Sequence, residues 1–145
     1  MVEYLTGMTM KKVNCARCWN AYAVNEPDFR DCAQFMIEMT NGAGVTADVS
    51  YSSPDSIGYA LPIYWRFTLW GSRGMMEFSY NSDTVMIARN GKRSVDTIML
   101  PEAPECGCLD DFINELEGKP ASLNTDSVIR VTRETLLIQN AADII

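Results

Sequence analysis

Apolar and polar residues alternate with a period of two over most of the first two thirds of the chain. This period predicts β-strands, because successive side chains of a strand point to opposite faces of its sheet. Strands are predicted at residues 11–19, 32–39, 45–51, 64–70 and 75–80, and in both arms of a hairpin around Asn90-Gly91. Residues 52–62 are rich in Ser, Pro and Gly, so we predict a loop there.

The hairpin between the second and third predicted strands can be drawn in two registers. A two-residue turn at Asn41-Gly42 would place Ile37 opposite Thr46, an apolar side chain against a polar one. A three-residue loop that begins one residue earlier pairs Ile37 with Val45 instead. It also gives Gly42 the left-handed position of a type I turn followed by a bulge. We therefore predict the three-residue loop.

The last third of the chain changes to the period of an α-helix. The first helix has its apolar stripe at Leu109, Phe112, Ile113 and Leu116, and Gly118 ends it. The second helix begins after NTDS and has its stripe at Val128, Val131, Thr135, Ile138, Ala142 and Ile145. Arg130 and Glu134 are predicted to pair on the polar side of this helix. Strands followed by helices predict one α+β domain over residues 1–145. Its core is an open, mostly antiparallel β-sheet of about six strands with helices packed on one face.

The charge of the chain narrows the classes of partner. It carries 12 Lys and Arg against 19 Asp and Glu, a formal net charge of −7. This balance argues against nucleic acid, whose phosphates require grouped Lys and Arg. No apolar run reaches the roughly 20 residues that a membrane helix needs, so no membrane partner is predicted. The N-terminal residues lack a signal-peptide layout and the five cysteines are an odd number, which favours reduced thiols in a cytoplasmic protein.

The residue types also restrict the metal chemistry. The sequence contains no histidine, the commonest general base and metal ligand. Cys15 and Cys18 have the spacing of half a zinc site, but residues three apart on a strand point to opposite faces. Cys106 and Cys108 add two sulfur atoms at a spacing that fits no common zinc pattern. We therefore predict no metal site.

The stretch GSRGMMEF, residues 71–78, contains two glycines three residues apart. A phosphate-binding loop needs such glycines between a strand and the start of a helix, where free N–H groups point at the anion. Here the residues that follow the glycines have the pattern of a strand. The stretch is therefore predicted to be a tight turn between two strands.

Few residues suggest a site. Those at or near loops that could line a substrate cleft are Arg17, Trp19, Asp55, Tyr59 and Trp65. Each of them is also compatible with an ordinary place on the surface or in the core. Asp110 and Asp111 open a helix, where acidic side chains complement the helix dipole, so we assign them a structural role. No catalytic or cofactor-binding residue is predicted in this chain.

Several short motifs follow one another along the chain. They are YLTG at residues 4–7, NGA at 41–43, GSRGMMEF at 71–78, LDDFINELEGKP at 109–120 and DSVIRVTRETLLIQNAAD at 126–143. In this order the chain resembles the C-terminal domain of the Gfo/Idh/MocA family of NAD(P)-dependent oxidoreductases. That family has a W-L-T-G helix end, an F-x-N-G-A strand end and a G-T-K-G turn. The resemblance covers essentially the whole chain and implies a large open sheet that forms one wall of a substrate cleft and builds oligomers.

The resemblance also implies that most of the catalytic apparatus lies outside this chain. The family's glycine-rich dinucleotide fingerprint and its Glu-Lys-Pro motif have no match here, and its Asp/His pair would fall before Met1. Our leading hypothesis is the substrate-cleft and oligomerisation domain of such an enzyme, acting on a sugar, polyol or related hydroxyl compound. NAD or NADP would be bound by an N-terminal Rossmann domain, and the isolated chain would be inactive. The alternative is a stand-alone binding or assembly module without catalysis.

We also expect the chain to form a homo-oligomer through the open face of its sheet. Two helices, each about 10 Å across, can cover one face of a sheet nearly 30 Å wide, which leaves the other face free. The candidate residues on that face are Gln34, Met36, Glu38, Tyr64, Arg66 and Trp70. Their mixture of Met, aromatic and Arg side chains is typical of interfaces. The alternatives are that this face meets water or the N-terminal domain.

Overall fold

The computed structural model describes residues 1–54, 56–61, 64–102 and 107–143. The described residues form three helices and seven strands. In chain order these are α1 (Val2–Thr6), β1 (Met10–Trp19), β2 (Cys32–Met39), β3 (Gly44–Ser50), β4 (Arg66–Gly71), β5 (Gly74–Ser79), β6 (Thr84–Arg89), β7 (Val95–Met99), α2 (Cys108–Leu116) and α3 (Thr125–Asp143). The predicted α+β class, with antiparallel strands and helices, is confirmed.

The chain divides into two compact units, and its strands form two sheets. Residues 1–52 and 106–145 contain the antiparallel sheet β1-β2-β3 together with the helices. Residues 53–105 contain the antiparallel sheet β4-β5-β6-β7. The sequence predicted about six strands in one open sheet, and the described residues form seven strands in two sheets. The loop predicted at residues 52–62 lies between β3 and β4, and its described part contains only one turn of 3-10 helix, Gly58–Ala60.

The hairpin of β2 and β3 has the predicted register. Ile37 pairs with Val45, and the Met39 N–H donates to the Ala43 carbonyl across a three-residue loop. Gly42 has φ of +87°, the left-handed conformation that glycine adopts without steric cost. The alternation of apolar and polar residues therefore determined the register correctly, because a slip of one residue would exchange the two faces.

Three of the four buried apolar strand residues of the first unit lie on one face of its sheet. Ala16, Ile37 and Met39 are buried there, whereas Met36 on the opposite face of β2 is 42% exposed. Helix α3 packs against β1, and its Ala142 is also buried. The covered face is the apolar one of β2, as the period of two predicts.

The buried side of α3 differs from the predicted stripe. The half-buried or buried positions are Ser127, Val131, Glu134, Ile138, Ala141 and Ala142, whereas Val128 and Thr135 are exposed. The prediction that Glu134 lies on the polar side was therefore wrong. Apolar residues occur around most of this helix, so the choice of its buried side is made by packing against β1 rather than by the sequence pattern. The predicted Ile145 lies outside the described residues.

The second unit is a meander of three hairpins. Gly71 pairs with Gly74 across a two-residue turn, which confirms the turn predicted for GSRGMMEF. The strand predicted to begin at residue 64 begins at Arg66 instead, because Tyr64 and Trp65 form a turn in which Trp65 has φ of +47°. No described residue of this unit is fully buried.

No helix in the described ranges combines the length and the apolar content that crossing a membrane would require.

Candidate functional site

Two of the five predicted cleft residues are neighbours. Arg17 and Trp19 lie on the same face of β1, and the guanidinium carbon of Arg17 is 5.5 Å from the centre of the Trp19 ring. This is a cation–π contact, which holds a positive charge over an aromatic face. Asp55 and the side chain of Tyr59 lie outside the described residues. Trp65 belongs to the second unit, whereas Arg17 and Trp19 belong to the first.

Trp65 forms an aromatic cluster with Tyr64 and Tyr80. Its ring stacks on Tyr64 at 5.8 Å and meets the edge of Tyr80 at 6.1 Å. The Tyr80 N–H donates to the carbonyls of Tyr64 and Trp65, at 3.1 Å and 3.3 Å. A bulky residue with positive φ is strained, and such strain concentrates at functional positions. Because Trp65 is 55% exposed, its ring can stack on the apolar face of a cyclic ligand.

A polar depression opens on β4, β5 and β6 of the same unit. Its lining residues are Arg66, Glu77, Phe78, Ser79, Asn81, Ser82, Asp83, Thr84 and Met86. Thr68 Oγ1 donates to Glu77 Oε2 at 2.9 Å and fixes that carboxylate. Hydroxyl, amide, guanidinium and carboxylate groups together can exchange hydrogen bonds with a hydroxylated ligand. The sequence reasoning missed this grouping and placed Arg66 only on the oligomer face, since the pairing of β5 with β4 and β6 was needed to collect the residues.

A pair of carboxylates in the first unit was also missed. Glu3 of α1 accepts hydrogen bonds from the Met10 N–H and from Arg130 Nε, both at 3.1 Å, and its side chain is only 11% exposed. Glu134 of α3 lies within hydrogen-bonding reach of Glu3. Arg130 thus pairs with Glu3, a residue 127 positions away, and not along its own helix as predicted. The predicted pairing used the local spacing, whereas α1 supplies the partner in space.

The two carboxyl groups titrate differently. Burial and the neighbouring Glu3 together raise the pKa of Glu134 to about 7, while Arg130 and the Met10 N–H oppose the rise. Burial also disfavours ionisation of Glu3, but hydrogen bonds from Glu134, Arg130 and Met10 outweigh it and lower the pKa of Glu3. Two carboxyl groups in contact cannot both ionise easily, so one of them keeps its proton until the pH approaches about 7.

A third acid, Asp31, organises the loop between β1 and β2. Its side chain is 2% exposed and accepts hydrogen bonds from the N–H groups of Ala21, Tyr22 and Ala23, at 2.7–2.8 Å. Burial opposes ionisation, yet these backbone donors lower the pKa of Asp31 to about 2. The carboxylate therefore closes this loop internally and has a structural role.

The cysteines are placed as the strand geometry predicts. Cys15 pairs with Met36 and Cys18 with Ala33, which are on opposite faces of β2. The two thiols therefore cannot chelate one ion from the regular strand. Cys106 lies outside the described residues, and within the described ranges no three His, Cys, Asp or Glu side chains are grouped for a metal.

The residues predicted for an oligomer face fall into both units. Gln34, Met36 and Glu38 share the outer face of β2, where Gln34 bonds to Asp48 at 2.9 Å and Glu38 pairs with two lysines. Arg66 and Trp70 share a face of β4, and Tyr64 precedes that strand. Trp70 is 78% exposed. The opposite face of this sheet carries Phe67, Leu69, Met76, Phe78, Val85, Ile87 and Ile98, and none of these side chains is fully buried.

Comparison with solved structures identifies the fold. A "putative oxidoreductase" from Thermotoga maritima matches 98% of this chain with a TM-score of 0.79 and 17% identity. UDP-N-acetylglucosamine 3-dehydrogenase from Acidithiobacillus ferrooxidans matches 98% with a TM-score of 0.72 and 18% identity. Aldose-aldose oxidoreductase from Caulobacter crescentus, complexed with glycerol, matches 98% with a TM-score of 0.70 and 19% identity.

The matched region is only part of each of those proteins. This chain spans 41%, 43% and 42% of their respective lengths. No protein-family model and no curated protein sequence matches the chain. Identities of 17–19% establish a shared fold and leave activity and substrate open. The chain therefore has the fold of a region found in oxidoreductases.

Proposed function

We propose that this chain is the substrate-cleft and oligomerisation domain of an NAD(P)-dependent oxidoreductase of the Gfo/Idh/MocA type. The observation that carries the proposal is the coverage of the structural matches. Oxidoreductase structures match 97–98% of this chain, while the chain spans only 41–43% of them. In such an enzyme NAD or NADP carries the redox chemistry, and the protein orients the substrate towards it. This division of labour agrees with the lack of a dinucleotide fingerprint in the sequence.

The proposed substrate is a sugar, a polyol or a related hydroxyl compound. Two of the similar structures are named for a nucleotide sugar and for aldoses. In the second unit, the depression lined by Arg66, Glu77 and Asp83 offers both donors and acceptors to hydroxyl groups. The exposed Trp65 ring offers an apolar surface to the face of a sugar ring. The chain would thus supply binding and orientation, while hydride transfer occurs at the nicotinamide.

The alternative is a stand-alone binding or assembly module. The sequence of the complete gene distinguishes it from this proposal. A coding sequence upstream of Met1 that contains a Gly-rich fingerprint and a Glu-Lys-Pro motif supports the oxidoreductase, and a start codon at Met1 supports the module. The activity test follows NAD(P)H absorbance in the complete gene product with a panel of aldoses, polyols and nucleotide sugars. No cofactor turnover with any of them would contradict the proposal.

Site variants refine this test. We expect Arg66→Ala to raise the KM for the active substrate by about tenfold or more, because hydrogen bonds to charged groups contribute about 1.5–3 kcal/mol. Arg93→Ala, in the exposed turn between β6 and β7, is the matched control and should leave KM unchanged. For this 145-residue chain alone, titration calorimetry should give no binding of NAD(H) or NADP(H) tighter than about millimolar.

The proposed oligomer is tested through Trp70. An exposed Trp on the same sheet face as Arg66 is typical of interface residues, which favour aromatic and Arg side chains. Light scattering after size exclusion should give a multiple of the monomer mass for the wild-type protein and a smaller mass for Trp70→Glu. Tyr22→Glu, at a 65% exposed position in the loop after β1, is the control and should keep the wild-type mass. A monomeric wild type would refute this part of the proposal.

A further inference from the structure

The N-terminal helix α1 depends on tertiary contacts for its stability. It has only five residues, and an isolated helix of this length does not form in water. None of its residues is fully buried, so packing alone fixes it weakly. Its polar anchor is Glu3, which contacts two other elements: the Met10 N–H at the start of β1 and Arg130 of α3. The side chain of Glu3 therefore joins α1 to the rest of the first unit.

Glu134 adds a second carboxyl group to this anchor. It lies on the half-buried side of α3, one turn after Arg130, and its carboxyl group is within hydrogen-bonding reach of that of Glu3. A hydrogen bond between two carboxyl groups requires a proton on one of them, because two carboxylates offer only acceptors. Glu3 already accepts hydrogen bonds from Met10 and Arg130, so its ionised form is favoured and the proton resides on Glu134.

The surrounding charges give this arrangement its pH dependence. With the proton present, the pair carries one negative charge, which Arg130 of α3 balances. Without it, two negative charges face a single guanidinium. The other nearby element, β1, contributes the uncharged Met10 N–H, and its lysines Lys11 and Lys12 are paired with Glu38.

We propose that Glu134 and Glu3 share one proton near neutral pH and that this proton latches α1 onto α3 and β1. In the latched state the Glu134 hydroxyl donates to the Glu3 carboxylate. When the pH rises, the proton leaves to solvent, the two carboxylates repel each other and α1 is released from its anchor. Any segment of the protein that precedes α1 is then held less firmly to this unit. The proposal is independent of the catalytic role suggested above, because it concerns the first unit alone.

The direction of the effect follows from linkage between protonation and folding. The pKa of Glu134 is raised from 4.5 to about 7. The stabilisation that Glu134 contributes is therefore complete below pH 4.5 and is lost as the pH rises through about 7. The pKa of Glu3 is lowered, so its contribution is present above its ordinary value and is lost in strong acid. The latch is therefore strongest in the weakly acidic range.

Hydrogen–deuterium exchange in the product of the complete gene tests the latch. The observable is the protection of a peptide from α1 to Met10, corrected for the intrinsic dependence of exchange on pH. In the wild-type protein, protection should fall by about tenfold between about pH 6 and about pH 8. Glu134→Gln keeps a hydrogen-bond donor to Glu3 and cannot ionise, so its protection should stay constant over this range. Glu117→Gln, an exposed residue beyond α2, is the matched control and should follow the wild type.

Carbon-13 titration of the glutamate carboxyl groups provides a second measurement, which reports the protonation of Glu134 directly and does not depend on the release of α1. One resonance should titrate near pH 7 in the wild type, and it should be missing in Glu134→Gln. The proposal is overturned if every glutamate titrates in the ordinary range near 4–5. It is equally overturned if wild-type protection does not change with pH, or if Glu134→Gln shows the same change as the wild type.

Discussion

The most direct test of the strand packing in the second unit is Gly74→Ala, at the first residue of β5. Gly74 has φ of +145°, and a Cβ atom placed on it would lie 2.1 Å from the Ala88 carbonyl oxygen and 3.0 Å from the Arg89 Cα. Both contacts are to the backbone of β6, which cannot rotate away as a side chain could. The substitution therefore has to separate β5 from β6 or change the conformation of residue 74.

The expected cost can be estimated from these two effects. A non-glycine residue in a disfavoured backbone conformation costs about 1–3 kcal/mol, and an overpacked atom costs another 1–3 kcal/mol, so Gly74→Ala should lose about 2–6 kcal/mol. Gly91→Ala isolates the first effect, because Gly91 has φ of +83° with nothing within 4 Å of its Cβ position, and should lose about 1–2 kcal/mol. Gly71→Ala has neither problem, since its nearest contact is 3.7 Å, and should stay within about 0.5 kcal/mol of the wild type.

Urea unfolding followed by tryptophan fluorescence measures these differences. Two of the three tryptophans, Trp65 and Trp70, belong to the second unit. A Trp19→Phe background removes the signal of the first unit. If Gly74→Ala is too unstable to unfold cooperatively, loss of amide protection in β5 and β6, with retained protection in β2, gives the same answer. Equal losses for Gly74→Ala and Gly91→Ala would refute the close approach of β6.

Three further outcomes concern the first unit. Ile37→Ala removes a buried side chain from the core of the first unit and should lose about 2–5 kcal/mol in denaturant unfolding, whereas Met36→Ala on the exposed face should change stability by less than about 0.5 kcal/mol. Asp31→Asn should make residues 20–30 more sensitive to limited proteolysis at neutral pH, because the ionised carboxylate holds three N–H groups. The pKa of Asp31 is lowered to about 2, so the wild-type loop should resist proteolysis near pH 5 and loosen only as the pH falls below about 4.

The extent to which sequence determines this protein is clearest in its strands and turns. The period of two predicted a sheet of about six strands where seven form, and the apolar match of Ile37 with Val45 selected the register of the β2–β3 hairpin. The turn at Gly71 and Gly74 was predicted because strand-like residues, rather than a helix start, follow it. These features depend on neighbouring residues and on two faces of one strand, so the local pattern contains the necessary information.

The site features required the tertiary structure. Arg130 and Glu134 are one helical turn apart, and the sequence favoured a pair between them, but Arg130 bonds instead to Glu3, which α1 brings to both residues. Likewise, Arg66 and Glu77 become neighbours of Asp83 only through the pairing of β4, β5 and β6. Contacts between residues distant in sequence follow from which faces bury apolar area, and that choice is made by the whole chain at once. Local spacing cannot specify these contacts, because an i, i+4 pair has the same spacing whether it faces water or packs against another acid.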